Sequence, residues 1–151
     1  MHRQVFLFLI AVFLLVGCDK NTLVHSYQPM KDNCWDKADT VTFTLPALTQ
    51  DDNCSLLIGL RLNGNYPYEQ LVLQVEQDLQ HPITHRLDTI YYQLTDEGGE
   101  FSQKGVNYFQ YETQGIPLYL KEGQTGEIRI RHLMRKEVLP GIADVGIHII
   151  R

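Results

Sequence analysis

The sequence predicts an all-β fold, an antiparallel two-sheet β-sandwich of immunoglobulin-like or jelly-roll-like type with about eight strands. Three observations carry that prediction. Beyond an apolar N-terminal run, no segment keeps the 3.6-residue apolar period of an amphipathic helix. The remainder divides into runs of about five to nine residues, many with apolar side chains at every second position. Gly, Pro, Asn and Asp separate these runs, which is the punctuation of a sandwich. About eight or nine strands are too many for one flat sheet and suit two packed face to face.

His2 and Arg3 give the chain a short basic start, residues 5–16 are apolar without interruption, and Leu15-Val16-Gly17-Cys18 closes the run with small residues before a cysteine. That is the layout of a secretory signal. The run holds about half of the roughly 20 apolar residues a membrane-spanning helix needs, and Asp19, Lys20 and Asn21 follow at once. Its last four residues look like a lipobox, where peptidase cuts before the cysteine and the thiol carries diacylglycerol. The competing readings are an ordinary cleaved signal with a chance cysteine and an uncleaved anchor. Each buried acyl methylene contributes about 0.8 kcal/mol, so a multiply acylated Cys18 holds a soluble domain durably on a bilayer. The expected organisation is a cleaved signal over 1–17, a lipidated N-terminus and tether over 18–30, and the sandwich domain over 31–151. The domain is then lipid-anchored in the cell envelope, on a periplasm-facing inner or outer membrane.

Residues 21–39 are polar, with Val24, Tyr27 and Trp35 as their larger side chains, and the beginning of this stretch reads as a tether leading into an edge strand. Val41-Thr42-Phe43-Thr44-Leu45 alternates apolar and hydroxyl side chains, a half-buried strand that Pro46 ends. After the loop Thr49-Gln50-Asp51-Asp52-Asn53, the strand over 56–62 puts Leu56, Ile58, Leu60 and Leu62 on one face. Asn63-Gly64-Asn65 is a turn whose residues tolerate positive φ, and Tyr66-Pro67-Tyr68 follows it. The strand over 71–79 points Leu71, Leu73, Val75 and Leu79 one way and Gln74, Glu76 and Asp78 the other. These two strands are expected to pair as a hairpin, with a loop longer than two residues because Pro67 cannot donate a ladder hydrogen bond.

Ile90-Tyr91-Tyr92-Gln93-Leu94 precedes the turn Asp96-Glu97-Gly98-Gly99 and a less regular stretch with Phe101, Tyr108, Phe109 and Tyr111. Residues 116–120 make a short apolar segment. A turn over 122–126 then leads into 127–134, where Ile128 and Ile130 alternate with Arg129 and Arg131. Leu139-Pro140-Gly141 breaks the chain before a last strand over 145–149.

Charge narrows the partners. The 13 basic residues less Arg3 leave 12 against 18 acidic ones, a mature net charge of −6 with histidines neutral. That sign excludes a phosphate-binding surface, so no nucleic acid is expected as a partner. Cys34 and Cys54 form an even pair in a compartment where disulfides persist. A bridge would close a loop of about 20 residues and add roughly 3 kcal/mol, while two buried free thiols are the alternative.

No chemistry-bearing pattern emerges. His81 and His85 flank Pro82 with no helix to bring them onto one face, and His25, His132 and His148 have no ligand-spaced neighbours, so no metal is expected. Asp51-Asp52-Asn53 and Asp96-Glu97-Gly98-Gly99-Glu100 lack EF-hand spacing and read as ordinary acidic turns. There is no Gly-x-Ser-x-Gly elbow and no phosphate-cradling loop, so neither enzyme activity nor a cofactor is expected. The aromatics are the remaining signal, since Tyr and Trp are favoured in interfaces. Tyr66, Pro67 and Tyr68, with Trp35, are the candidate partner-binding residues, since the loop position and rigid proline could present both tyrosines outward; the competing reading is that most of these rings fill the sandwich core or pack on its edges.

A resemblance adds to this reading. Trp35-Asp36-Lys37-Ala38-Asp39-Thr40-Val41-Thr42-Phe43, Asn65-Tyr66-Pro67-Tyr68, Asp88-Thr89 followed by Leu94, residues 99–105, and Met134-Arg135 with residues 139–146 resemble the gliding-motility lipoprotein family GldH of the Bacteroidota. The match runs from the lipobox to the last strand. Cys34 and Cys54 are not part of that pattern. The resemblance implies a non-enzymatic lipoprotein of the gliding and type IX secretion-associated envelope machinery, whose partners are the bilayer and other envelope, motility or secretion proteins. The alternative is a carbohydrate-binding sandwich lipoprotein, which an exposed aromatic row on one sheet would favour. An open sheet edge or apolar patch would favour the interaction module.

Overall fold

The computed structural model describes residues 21–101 and 107–151. The signal over 1–17, Cys18 and the part of 99–105 beyond Phe101 lie outside the described residues. The strands are β1 (Thr22–Pro29), β2 (Cys34–Asp36), β3 (Val41–Leu45), β4 (Asp52–Leu62), β5 (Gln70–Gln80), β6 (Thr84–Gln93), β7 (Phe109–Glu112), β8 (Ile116–Leu120), β9 (Thr125–His132), β10 (Val138–Pro140) and β11 (Ile142–Ile150), with a 3-10 turn at Lys31–Asn33. Sheet I has the order β1-β11-β4, and β7 and β8 both lie along the far side of β4. Sheet II has the order β3-β9-β5-β6, and β2 pairs with β10 as a separate ribbon. Every pairing between these strands is antiparallel.

The two sheets face each other through the side chains that the period of two selects. Leu56, Ile58, Leu60 and Leu62 of β4 and Val145, Ile147 and Ile149 of β11 are fully buried from one side. Leu71, Leu73 and Val75 of β5, with Ile128 and Ile130 of β9, are fully buried from the other. Each such side chain contributes about 1.5–3 kcal/mol of transfer free energy, so this layer dominates the stability. The expected all-β sandwich is the fold, and the strand at Val41–Leu45 has the expected bounds.

The expected hairpin between the strands at 56–62 and 71–79 is not formed. β4 belongs to sheet I and β5 to sheet II, where β5 pairs with β6 and β9. The connection cannot act as a tight turn because Tyr66 is drawn inside it, 2% exposed, its hydroxyl donating to the Gln70 carbonyl at 2.9 Å. The Asn63 N–H meanwhile donates to the Gly141 carbonyl at 2.9 Å, fixing the start of the loop to the β10–β11 corner. The chain thus crosses between sheets at one end of the sandwich.

The described residues form eleven strands, more than the eight or nine expected, because the additional ones are short or polar. β1 takes in Thr22–Pro29, residues assigned to the tether, and pairs along β11 from Thr22↔Ile150 to Pro29↔Asp144. β4 begins at Asp52, inside the expected loop. β7 and β8 are one strand interrupted at residues 113–115. There the Thr113 hydroxyl accepts from the Ile58 N–H at 2.9 Å and the Thr113 N–H donates to the Ile58 carbonyl at 3.0 Å, so the interruption leaves both β4 groups paired.

Candidate functional site

The candidate partner-binding residues fall mostly in the interior. Trp35 is 0% exposed, its indole N–H donating to the Asp39 carbonyl at 3.0 Å and its ring meeting His132 edge-on at 5.4 Å. The ribbon of β2 and β10 carries it over the end of the core, with Leu139 opposite. Tyr66 is buried as described, and Tyr68 is half-buried against its ring in an edge contact at 5.5 Å. Only Pro67 of that set is exposed. The reading of Trp35 and Tyr66 as partner contacts is therefore corrected in favour of the core reading: the free energy of covering large rings outweighs their position beside turns.

Cys34 and Cys54 are free. The Asn33 carbonyl accepts from Gly141, whose own carbonyl accepts from Asn63, so Cys34 sits at the Leu62 end of β4 while Cys54 lies at the other. At about 3.3 Å per strand residue the two thiols are roughly 20–30 Å apart. A disulfide requires Cα atoms within about 7 Å, so the possible bridge is excluded by the fold.

His132, beneath Trp35, is fully buried, and burial lowers its pKa from the ordinary value. Lys37 lowers it further, against backbone groups of Trp35 and Glu137 and the Asp36 carboxylate, which favour the charged ring. Both ring nitrogens are buried without a hydrogen-bond partner. His132 therefore stabilises the fold as a neutral ring. Its contribution is whole above the unfolded pKa of about 6.5 and is lost as pH falls from there through the lower folded value. Urea midpoints for wild type are expected to fall below about pH 6.5, and His132→Leu is expected to flatten that fall. Parallel profiles would assign the acid sensitivity elsewhere.

What the structure exposes instead is the free edge of β6. Among the described residues β6 closes sheet II with a partner on one side only, so one row of its backbone groups has no described sheet neighbour. Its outer face carries Leu87 and Tyr91, 52% and 78% exposed, and Ile83 in the preceding turn is 79% exposed. Beside this edge a cleft of about 470 Å³ runs to the β7–β8 interruption, lined by Ile90, Tyr92, Gln93, Thr113 and Ile116 among others. The Tyr92 hydroxyl donates to the Glu112 carbonyl, which ties β6 to β7 across the cleft floor. At the other end of β6, Arg86 and Asp88 pair at 2.8 Å. The exposed tyrosines Tyr91, Tyr108 and Tyr119 lie on β6, before β7 and on β8, so they make no single aromatic row.

A second cluster lies on the outer face of sheet I. His25 of β1 stands directly opposite His148 of β11, the rings stacked at 4.5 Å. Glu112 of β7 reaches back over β4 to place Oε1 3.3 Å from His148 Nδ1. Gly59 and Gly146 lie below, where a Cβ would fall 2.3 Å from the Tyr27 hydroxyl and 2.5 Å from its ring, so the absence of side chains lets Tyr27 lie across the sheet. Arg61 stacks over Tyr27 at 4.4 Å and faces Asp144 at 3.7 Å. The linear sequence does not reveal this group because its members come from distant parts of the chain and only strand pairing joins them. The two acidic turns hold groups of the chain itself: Asp51 accepts from Lys121 at 2.7 Å, and Asp96 accepts from the Gly98 and Glu100 N–H groups.

Fold and N-terminal signal together define a class, the small β-sandwich lipoproteins. Residues 22–149 match the GldH lipoprotein family, and the chain belongs to that family. It is 31% identical to the gliding motility lipoprotein GldH of Flavobacterium johnsoniae, over 93% of this chain and 92% of that protein. It is also 28% identical to the gliding motility lipoprotein GldH homolog of Christiangramia forsetii, over 97% of this chain and 94% of the relative.

Proposed function

We propose that this chain is a non-enzymatic component of an envelope motility assembly, held on a membrane by acylated Cys18 and engaging a neighbouring protein along the free edge of β6. The carrying observation is that edge: ten residues with one backbone row unpaired among the described residues, flanked by exposed Leu87 and Tyr91 and by a cleft. An extended segment added there gains main-chain hydrogen bonds, with alternate side chains entering the cleft or lying against Tyr91. The names of the two relatives, both gliding motility lipoproteins, support the setting. The polar side chains of the cleft serve the frame, Thr113 bonded to Ile58 and Tyr92 to Glu112, which suits contact better than catalysis.

The anchor also fixes an orientation. Cys18 precedes Thr22 by four residues, at most about 14 Å of chain. Thr22 lies opposite Ile150, at the sandwich end that also holds the β5–β6 turn with Ile83. That end faces the bilayer, the β2–β10 ribbon faces away, and β6 stands upright and accessible.

The test replaces Leu87 and Tyr91 together by lysine, the side chain that guards natural sheet edges. Both are exposed, so stability should change by less than about 1 kcal/mol. A photo-crosslinker at position 89 should capture the same envelope protein in cells repeatedly, and the double lysine variant should lose it. A crosslinker at position 119, on the other sheet, serves as the comparison. Equal capture from both positions, or capture that survives the lysines, removes the β6 edge from the function. Cys18→Ser should separately release the chain from the membrane fraction.

A further inference from the structure

We propose that His25, His148 and Glu112 form a binding site for one divalent transition-metal ion of the zinc class. Nothing in the proposal depends on the β6 edge, which lies on the other sheet.

The three donor atoms, one from each residue, all lie within 4.8 Å of one another. The sharper argument is the state of His148. Its Nε2 is 3.2 Å from the Thr22 hydroxyl, and its Nδ1 is 3.3 Å from Glu112 Oε1 without making a hydrogen bond. If Nε2–H donates to Thr22, Nδ1 presents a bare lone pair to a carboxylate, and the contact is repulsive. If the proton is on Nδ1 instead, the N–H is not aimed at the oxygen. A cation between the two atoms resolves both cases. Two ligands of a tetrahedral zinc ion, each at about 2.0–2.2 Å from the metal, are about 3.4 Å apart, the separation seen here.

The surroundings fit the same ion. Thr22 on the far nitrogen is the kind of outer partner that sets the tautomer of a metal-bound imidazole. Glu112 has no lysine or arginine ion pair among the described residues, since Arg61 faces Asp144 and the Tyr27 ring. His25 and Glu112 are exposed, so His25 can turn out of its stack on His148 to aim a ring nitrogen at the ion, and Glu112 can swing in, without moving a strand. Two imidazoles and one carboxylate suit zinc and its first-row neighbours, whereas calcium and magnesium take oxygen ligands. Three protein ligands leave the fourth position open at the sheet surface.

The test uses the full lipoprotein in detergent, stripped by chelator and titrated with Zn²⁺ by calorimetry and with Co²⁺ by visible absorption. One ion per chain is expected, with ligand-field bands in the cobalt form and a raised unfolding midpoint at saturation. His148→Ala should weaken zinc binding at least about a hundredfold, and His25→Ala, Glu112→Gln and Thr22→Val each about tenfold or more. His85→Ala, which removes the imidazole paired with Glu76 at 2.9 Å, should leave affinity unchanged. Because His25 and Glu112 are exposed, their variants should keep the metal-free midpoint, which separates lost binding from lost folding. Nitrogen NMR of the stripped protein gives a second reading: zinc should shift Nδ1 of His148. Zinc affinity that follows His85 rather than His25 and Glu112 would overturn the site. So would a doubly protonated His148 at neutral pH that ignores zinc, which makes the contact an ordinary imidazolium–carboxylate pair.

Discussion

Gly141→Ala is expected to destabilise the domain by about 2–5 kcal/mol, measured by urea unfolding. Gly141 has φ +83°, a left-handed conformation that an L side chain resists. A Cβ there would lie 2.3 Å from the Tyr66 nitrogen and 2.6 Å from its Cα, backbone atoms that cannot swing aside. The same residue donates to the Asn33 carbonyl at 2.8 Å and accepts from the Asn63 N–H at 2.9 Å. Three segments therefore move if it moves: the 3-10 turn, the β4–β5 crossing and the β10–β11 corner. Gly64→Ala provides the comparison, since nothing lies within 4 Å of its Cβ position, and it should cost less than about 1 kcal/mol. Equal losses at the two glycines would mean that this joint does not hold the end of the sandwich together.

Trp35→Ala is expected to cost about 3–5 kcal/mol and to leave a poorly packed chain at physiological temperature. The ring is fully buried, and deleting it opens a void between the ribbon and His132 while leaving the Asp39 carbonyl without its indole donor. Trp35→Phe should fold, with a smaller loss, because it refills much of the volume but not the hydrogen bond. Near-ultraviolet circular dichroism and urea midpoints give the comparison. A Trp35→Ala protein as stable as wild type would return this ring to the surface and restore it as a partner contact.

Both predictions concern residues whose role the linear pattern does not reveal. Val41-Thr42-Phe43-Thr44-Leu45 reads as a half-buried strand and is one, because alternation across a pleat is a property of consecutive residues. Leu56, Ile58, Leu60 and Leu62 declare their shared face for the same reason, as do Leu71, Leu73 and Val75. The partners of those strands are a different matter. β1 is a polar edge strand whose order comes from pairing with β11, so Thr22–Pro29 carries no period that separates it from a tether. β2 and β10 are three residues each and exist only because Trp35 and Leu139 meet over the core. Tyr66 beside Pro67 looks equally suited to solvent or interior until the Gly141 corner closes over it.

The candidate sites divide along the same line. The histidines and Glu112 are visible as residue types, but a spacing rule works only where ligands share a local element, and here β1, β7 and β11 each supply one. The β6 edge is partly visible as Tyr91 and Tyr92, while its openness depends on β6 having β5 as its one sheet neighbour among the described residues. The sequence alone determined the all-β class, the buried faces of the long strands and the lipoprotein signature, since each is written in neighbouring residues. The tertiary structure alone decided that the chain crosses sheets after β4, that Trp35 and Tyr66 go inward, and that His25 meets His148. Those outcomes depend on which distant strands come together to cover apolar area, and contacts of that range are not encoded in local order.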